Sequence, residues 1–331
     1  MNTPTPIVEI VSTGRYLPDG VLTNDDLAKR IDTSDEWIRT RTGIEERRIA
    51  GADTTTADMG AASARLALEG AGIDPSDVDI LIVSTATPDR WLPSTACDTQ
   101  AVLGCENAVA FDLMAACTGH IYALSMAEGY LTAGRGETAL VIAAEKMSAI
   151  IDWDDRSMAV LFGDGSGSAV LQRSNGSGRG ILSSYLRSDG KLAHLLHRPG
   201  GGTVDPVSQS VVDEGRHLMR MEGGAIFKNA VRSMAEACDQ ALEKAGLTAD
   251  DIDLLVPHQA NIRIIEATAK YAGIPMDKVF VNVNRYGNMS SASVPIALDE
   301  AREQGLVPPG TKVLMVAFGA GLTWGAMALQ M

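Results

Sequence analysis

Cys117 stands in the stretch FDLMAACTGHIYAL, residues 111 to 124, between a strand-like run and a helix-like run. The strand-like segment AVAFDL precedes it, and the pattern predicts a helix from about Thr118 to Ala133. The unpaired N–H groups and the macrodipole at a helix N-terminus favour negative charge, so they stabilise a thiolate. An ordinary cysteine, with a pKa of about 8.5, is mostly protonated at neutral pH. Most cysteines are buried and inert, but this position predicts a nucleophile.

Two further polar residues lie where strand-like runs give way to loops. His258 follows the run LLVP in LLVPHQANIRII, and Asn288 lies in the loop NRYGNMSSAS before a predicted helix. Taken alone, the histidine would be structural and the asparagine a turn former, but together with a cysteine they can form a catalytic set. The order and spacing also fit a papain-like peptidase, yet the chain lacks the C-G-[SA]-C-[WY] motif that surrounds that family's nucleophile.

Composition predicts a cytoplasmic globular protein of enzyme size. The 331 residues are 45% hydrophobic and 21% charged, and the N-terminal MNTPTPIVEI lacks the basic and apolar regions of a secretory signal. No stretch approaches eighteen apolar residues, so no membrane association is expected. The net charge of -14 argues against nucleic-acid binding.

Cysteine spacing predicts neither a metal site nor a disulfide framework. The four cysteines form no C-x-x-C pair, and none has a histidine at metal-ligand spacing. We therefore expect no bound metal, and structural roles for Cys97, Cys105 and Cys238.

The chain repeats itself at an offset of 174 residues. ALEGAGIDPSDVDILIV, from Ala67, and ALEKAGLTADDIDLLVP, from Ala241, agree at eight of seventeen positions without a gap. The same offset superposes TALVIAA on KVLMVAF, and these apolar strands predict sheets covered by helices on both faces. We predict a layered α/β protein with two similar halves, residues 1–174 with the cysteine and residues 175–331 with the histidine and asparagine.

Several ordered motifs across nearly the whole chain resemble beta-ketoacyl-acyl carrier protein synthase III, which starts type II fatty acid synthesis. They are TSDEWIRTRTGIEERRI, FDLMAACTG, FGDGSGSAVL, VPHQANIRII, YGNMSSASVPIAL and FGAGLTWG. The resemblance implies the thiolase fold, with duplicated halves in a five-layered α-β-α-β-α arrangement, and a homodimer. It implies a short acyl-coenzyme A and malonyl-acyl carrier protein as substrates, and no permanently bound cofactor.

The resemblance also assigns roles to the three polar residues. Cys117 would take the acyl group, while the backbone N–H groups of Cys117 and Ala320 form the oxyanion hole. His258 and Asn288 would donate hydrogen bonds to the malonyl thioester oxygen as carbon dioxide leaves and an enolate forms.

The resemblance also implies which residues bind coenzyme A. TSDE reads as a capping box led by Thr33, followed by Trp37 and, one turn later, Arg41. By resemblance the adenine is sandwiched by tryptophan and arginine, and other positions line the nucleotide and pantetheine tunnel. The coenzyme A residues are Trp37, Arg41, Thr42, Arg156 and Asn261.

Basic residues offer an acidic carrier protein a local attraction that the overall charge does not. Lys228 and Arg232 are four apart on one predicted helix, and Arg263 and Lys270 are seven apart on another, so each pair shares a face. Most such pairs are merely solvated, but Lys228, Arg263 and Lys270 match the family's carrier-docking surface.

The chain departs from the usual family pattern at two places near the nucleophile. C-T-G-H replaces the commoner C-[SA]-G-F, so His120 puts a polar ring at the start of the catalytic helix. Ala320 replaces a usual glycine, although its backbone donor remains. We interpret FGDGSGSAVL as a tight turn leading into the strand AVLQ, because it lacks the third glycine of a phosphate loop.

Related functions remain open at this point. Thiolases carry a second cysteine near the C-terminal glycine turn, where GAGLTWG has none, and elongating synthases place a second histidine at Asn288. A type III polyketide synthase shares the three residue types. A relative that modifies a small metabolite would also fit these residues, as would a non-catalytic partner that only binds the carrier protein.

Overall fold

A computed structural model describes residues 7–331. The strands are β1 Val8–Tyr16, β2 Gly20–Thr23, β3 Glu46–Ile49, β4 Ile80–Ser84, β5 Val109–Leu113, β6 Thr138–Lys146, β7 Asp164–Arg173, β8 Gly180–Ser188, β9 Leu196–His197, β10 Arg220–Met221, β11 Leu254–Pro257, β12 Lys312–Gly319 and β13 Thr323–Gln330. The helices are α1 Asn24–Ala28, α2 Asp35–Thr42, α3 Thr56–Ala71, α4 Thr95–Leu103, α5 Gly119–Thr132, α6 Arg156–Ala159, α7 Gln209–Asp213, α8 Gly223–Ala245, α9 Ile262–Tyr271, α10 Val283–Tyr286 and α11 Ser293–Glu303.

Two mixed sheets form the framework. The first has the order β1-β7-β6-β4-β5, and the second has the order β11-β12-β13-β8. In the first, β4 runs parallel to both β5 and β6; in the second, β11 runs parallel to β12. Consequently β4, β5 and β6 bring their C-terminal ends to one edge of the first sheet, and β11 and β12 do the same in the second.

The buried apolar clusters define five layers. Helices α3 and α4 pack with the outer face of the first sheet, and α8 and α9 pack with the outer face of the second. The largest cluster joins both sheets through α5 and α11, which lie between them. This confirms the expectation that helices cover the apolar strands on both faces.

The two central helices begin in the same way. Each follows a short 3-10 turn, Ala116–Thr118 before α5 and Ser290–Ala292 before α11. The first residue of each turn has a left-handed backbone although it is not glycine, with φ of 46° at Ala116 and 47° at Ser290. These residues are 174 apart, so the repeat extends to the backbone at the two helix starts.

Two local predictions differ from the structure. The cap of α2 is Ser34, whose hydroxyl accepts from the N–H of Trp37, so the predicted box led by Thr33 is wrong. The segment FGDGSGSAVL is not a tight turn, because β7 already begins at Asp164. The strand-like run before Cys117 forms β5 at an edge of the first sheet, where Val109 and Phe111 are exposed.

Within residues 7–331, no helix has both the length and the apolar character needed to cross a membrane.

Candidate active site

Cys117, His258 and Asn288 are brought together by the ends of three elements. Cys117 lies in the turn before α5, His258 directly follows β11, and Asn288 lies in the loop before α11. All three are nearly buried and line one cavity of about 170 Å³. The structure therefore joins three residues that are far apart in the chain.

Cys117 also lines a second, larger cavity of about 470 Å³ on its other side. The walls of this chamber are mainly apolar and include Met114, Met147 and Phe162, together with Ala320. His258 and Asn288 line only the smaller cavity. The sulfur thus lies at the junction of two mainly apolar cavities, of which only the smaller is lined by His258 and Asn288.

The thiol of Cys117 donates a hydrogen bond to the hydroxyl of Ser290, with 3.5 Å between sulfur and oxygen. Burial raises the pKa of Cys117 to about 12, and the negative charge of Glu145 acts in the same direction. The hydrogen bonds from Ser290 and from the N–H of Cys117 oppose this rise but do not cancel it. The sequence-based expectation of a depressed pKa is therefore wrong, because desolvation outweighs the helix N-terminus.

The backbone N–H of Cys117 has space in front of it because residue 319 is glycine. A Cβ on Gly319 would lie 2.7 Å from this nitrogen and 3.1 Å from the nitrogen of Thr118. Within residues 7–331, neither the N–H of Cys117 nor that of Ala320 donates to an acceptor on another residue. These two groups are available to a substrate oxygen.

His258 is neutral over the working pH range, because burial lowers its pKa to about 3. Its backbone is tied to β12 by a 2.7 Å hydrogen bond from its N–H to the carbonyl of Val316. The side chain makes no hydrogen bond to the rest of the described chain. A neutral imidazole with no protein partner can donate to, or accept from, a bound molecule.

Asn288 has a fixed amide orientation. The backbone N–H of Ser290 donates to its Oδ1 at 2.8 Å, so Oδ1 is the acceptor and Nδ2 carries the free donors. The backbone of Asn288 is held on both sides, by its N–H to Leu161 and by its carbonyl from Gly163. Asn288 can therefore present N–H groups to the cavity.

The predicted nucleotide residues are only partly assembled. Two guanidinium groups lie over the ring of Trp37, with the Cζ atoms of Arg41 and Arg156 4.4 and 4.6 Å from its centroid. Asn261 caps α9 through a hydrogen bond from the N–H of Ile264 and lines the cavity beside His258. Thr42 does not line either cavity beside Cys117: its hydroxyl donates to the carbonyl of Ile38 and accepts from the N–H of Ile44.

The predicted docking residues lie on α8 and α9, two helices that also contribute residues to the smaller cavity. Lys228, Arg232, Arg263 and Lys270 are all exposed, on the contacting helices α8 and α9. Phe227, which is 41% exposed, lines the cavity next to Lys228. In the described part of the chain none of the four forms an ion pair.

Sequence reasoning missed Ser290, Gly319 and Glu145. Ser290 forms a hydrogen bond with the thiol of Cys117, Gly319 leaves space before the Cys117 N–H, and the charge of Glu145 raises the pKa of Cys117. The repeat contained a signal for the last two, because the aligned strands TALVIAA and KVLMVAF are followed by Glu145 and Gly319 at the same offset.

Comparisons with known proteins agree over nearly the whole chain. Residues 111–190 match the family model "3-Oxoacyl-[acyl-carrier-protein (ACP)] synthase III", and residues 242–331 match the model of its C-terminal part. The chain is 51% identical over 321 residues to a beta-ketoacyl-[acyl-carrier-protein] synthase III of Caldanaerobacter subterraneus, covering 97% of each chain. A protein of the same name from Symbiobacterium thermophilum is also 51% identical, with 98% of each chain covered.

Solved structures give the same result. The structure is similar to the 3-oxoacyl-[acyl-carrier-protein] synthase III of Aquifex aeolicus, with a TM-score of 0.90, 48% identity, and 98% and 100% of the two chains covered. The corresponding enzyme of Pseudomonas aeruginosa gives a TM-score of 0.91 at 39% identity, with 98% of each chain covered. The cavity at Cys117 and these full-length similarities lead to one conclusion: the chain has the thiolase fold and belongs to the beta-ketoacyl-[acyl-carrier-protein] synthase III family.

Proposed function

We propose that the protein catalyses a decarboxylative Claisen condensation that starts fatty acid synthesis. A short acyl-coenzyme A, acetyl-coenzyme A in the simplest case, and malonyl-acyl carrier protein give 3-oxoacyl-acyl carrier protein, carbon dioxide and coenzyme A. The observation that carries this proposal is one cavity lined by Cys117, His258 and Asn288 in a chain similar to these synthases over its full length.

In the first step Cys117 attacks the thioester carbonyl of the acyl-coenzyme A. The C–S bond to coenzyme A breaks as the bond to Cys117 forms, and the thiol proton ends on the coenzyme A sulfur. The N–H groups of Cys117 and Ala320 stabilise the negative charge that develops on the carbonyl oxygen. Since burial keeps Cys117 protonated, neutral His258 is the group that can carry the proton between the two sulfurs.

In the second step malonyl-acyl carrier protein loses carbon dioxide, and its enolate attacks the acyl group on Cys117. The C–S bond to Cys117 breaks, and the released thiolate takes up a proton from solvent. His258 and the Nδ2 group of Asn288 donate to the thioester oxygen as the enolate forms. A strong base is not required, because the electrons come from the breaking bond to the carboxylate. Neutral imidazole and amide donors fit this role, and their burial strengthens the hydrogen bonds.

The function is tested by offering acyl-coenzyme A primers with malonyl-acyl carrier protein or malonyl-coenzyme A and measuring product masses. We expect 3-oxoacyl-acyl carrier protein from the carrier-linked extender. The apolar chamber of about 470 Å³ exceeds the roughly 150 Å³ that holds a benzene molecule, so longer and branched primers belong in the panel. Free polyketides, an acylated metabolite, or carrier binding without turnover would each contradict the proposal.

We propose that Trp37, Arg41 and Arg156 bind the adenine of coenzyme A, with Asn261 beside the pantetheine. The adenine would replace one of the guanidinium groups that stack on Trp37. Because stacking contributes about 1–3 kcal/mol per base, Trp37→Ala should raise the KM for acetyl-coenzyme A by about 10- to 100-fold. The KM for acetyl-pantetheine, which has no nucleotide, should not change; equal increases for both would remove the adenine assignment. The structure gives no support to a contact between Thr42 and coenzyme A.

We propose that Lys228, Arg263 and Lys270 attract the acidic carrier protein, with Arg232 beside them. Arg263→Glu should weaken the use of malonyl-acyl carrier protein by roughly five- to tenfold, because an exposed ion pair of about 1 kcal/mol becomes a repulsion. Acylation by acetyl-coenzyme A should be nearly unchanged, and high salt should reproduce the effect. The control is Arg135→Glu, a charge reversal on an exposed residue outside α8 and α9. If neither Arg263→Glu nor high salt weakens the use of malonyl-acyl carrier protein, the proposal that these residues attract the carrier protein is wrong.

We propose a homodimer that pairs the β5 edges of two copies. Val109 and Phe111 on this edge and Met114 just beyond it are exposed, as are Trp91 and Leu92. An exposed apolar edge strand is a template for pairing with another strand. Sedimentation should give twice the chain mass, and a single-chain mass would contradict the dimer.

We also propose that the enzyme works in the cytoplasm and treats acyl-coenzyme A as substrate, with no resident cofactor. The two steps return Cys117 to a free thiol, so the chemistry needs no other group. Turnover should survive dialysis against a metal chelator, and activity should appear in the soluble cell fraction. Loss of activity on dialysis, or activity confined to membranes, would contradict this.

A further inference from the structure

Glu145 is a charged residue at the centre of the molecule with no role in the steps described above. It lies in β6 and is completely buried between the two halves. Its Oε1 accepts from the hydroxyl and N–H of Ser291, at 2.7 and 3.4 Å. Its Oε2 accepts from the N–H of Ala86 at 3.0 Å and from the hydroxyl of Thr87 at 2.9 Å. A side chain of the first half therefore forms hydrogen bonds with the turn before α11 in the second half.

The repeat shows what position this carboxylate occupies. At the offset of 174, Ser291 corresponds to Cys117 and Glu145 corresponds to Gly319. The N–H of Cys117 is left free because Gly319 has no side chain, whereas the equivalent N–H of Ser291 meets the Glu145 carboxylate. Glu145 thus lies at the second helix start where a substrate oxygen would lie at the first.

The segment that Glu145 holds also carries Asn288. Ser291 follows Ser290, whose N–H fixes the amide of Asn288 and whose hydroxyl accepts from the thiol of Cys117. The hydrogen bonds to Leu161 and Gly163 hold only the backbone of Asn288. The orientation of its amide therefore depends on the residues that follow it, and Glu145 ties these to the first half.

We propose that Glu145 is a positioning residue for the condensation step: its carboxylate fixes the Asn288–Ser291 segment so that the Asn288 amide faces the substrate beside Cys117. This inference rests on the proposed function. Burial raises the pKa of Glu145, and the hydrogen bonds from Ser291, Ala86 and Thr87 oppose this rise. The carboxylate form matches these neighbours, because two backbone N–H groups can only donate and both carboxylate oxygens accept. The start of α11 stabilises an anion at this place.

A glutamine at this position cannot satisfy the same neighbours. Its single carbonyl oxygen can face Ser291 or Ala86, and its NH₂ group then meets the other backbone N–H, donor against donor. Glu145→Gln therefore loosens one of the two anchors while it keeps the volume. It also removes the negative charge that raises the pKa of Cys117. The other titratable group of the cavity, His258, is unchanged.

The test separates the two half-reactions in the whole enzyme. In Glu145→Gln, decarboxylation of malonyl-acyl carrier protein should fall on the order of 10- to 100-fold, the usual cost of a misplaced catalytic group. Acyl transfer from acetyl-coenzyme A to Cys117 should change by less than about threefold. Alkylation of Cys117 should move to lower pH by about one unit, that is, by about tenfold in rate at a given pH.

Two further variants guard against a simple folding defect. Ser291→Ala removes the 2.7 Å contact but keeps the charge, so decarboxylation should fall while the alkylation profile stays in place. Asp164→Asn neutralises another buried carboxylate, which accepts from Ala50 and Ser148, and should shift neither decarboxylation relative to acylation nor the alkylation profile.

The inference is overturned if Glu145→Gln and Ser291→Ala lower both half-reactions equally, or lower neither. It is also overturned if Asp164→Asn reproduces the split. If the unaltered enzyme decarboxylates no malonyl thioester, the proposed function itself is wrong, and this result is distinct from the other two.

Discussion

The turns before α5 and α11 have the same backbone conformation, but they differ in what lies in front of their N–H groups. Each begins with a left-handed residue, at Ala116 and Ser290, and then presents the next N–H to the space at a strand end. At Cys117 this space is free, whereas at Ser291 the protein's own carboxylate occupies it. In the proposed mechanism the space at Cys117 receives a substrate oxygen, whereas the equivalent space at Ser291 is already filled by the Glu145 carboxylate.

The comparison extends to the strand ends. His258 follows β11 at the position where Ser84 ends β4 in the first half, so the histidine has no counterpart beside Ser291. His258 and Asn288, the two donors of the proposed mechanism, belong to the second half, whereas Cys117 belongs to the first. In that mechanism the reaction depends on how the two halves are held together.

Filling the space in front of the Cys117 N–H should have the largest effect on activity. In Gly319→Ala the new Cβ would lie 2.7 Å from the nitrogen of Cys117 and exclude a substrate oxygen from its N–H. Loss of one such donor costs about 100- to 1000-fold, so acyl-enzyme formation in single-turnover experiments should fall by that factor. Far-UV circular dichroism checks the fold. A folded variant that is acylated at the normal rate would show that this N–H is not an oxyanion donor.

Replacing His258, which follows β11, should affect one half-reaction more than the other. His258→Ser introduces the residue of the equivalent position, Ser84, and His258→Ala removes the side chain. Decarboxylation should fall about a hundredfold, on the order of 3 kcal/mol, in His258→Ala. Acylation should fall less, because the oxyanion hole remains. Equal losses in the two assays would contradict the enolate hydrogen bond and leave only the proton transfer of acylation to His258.

Making the start of α5 resemble that of α11 should have the smallest effect. His120 corresponds to Val294; both its nitrogens are buried without a partner in the described chain, and burial lowers its pKa to about 3. The folded chain keeps this imidazole neutral, whereas the unfolded chain binds a proton below about pH 6.5, so stability falls as the pH drops from about 6.5 towards 3.

His120→Val removes this dependence. The variant should lose about 2 kcal/mol less unfolding free energy than the parent between pH 7 and pH 5. Urea unfolding at the two pH values measures the difference. Identical losses in variant and parent would mean that His120 is already protonated in the folded protein.

The sequence allowed the layers, the repeat and the meeting of Cys117, His258 and Asn288 to be predicted, because each depends on local pattern. Apolar strands and helix periods identify the elements, and parallel strands bring their ends to one edge. The pKa of the Cys117 thiol was predicted wrongly. It depends on burial and on the charge of Glu145, and both act on the sulfur only in the folded chain.

Other errors have equally physical reasons. Ser34 rather than Thr33 caps α2, since adjacent hydroxyl residues compete for the same role and the cap is decided by where the chain turns. Gly165 and Gly167 of FGDGSGSAVL lie in β7 instead of a turn, because other chain segments approach closely there: a Cβ on Gly167 would lie 2.8 Å from the backbone nitrogen of Ile296. Long-range packing of this kind leaves no local signature.

The most direct test of the account is to locate the acyl group. The enzyme is mixed with isotope-labelled acetyl-coenzyme A, stopped within one turnover, digested, and its peptides are mapped by mass. We predict label on Cys117 and none on Ser291, with the label passing into the 3-oxoacyl product when malonyl-acyl carrier protein is added. Label on another residue, or product formation by Cys117→Ala at the parent rate, would contradict the account.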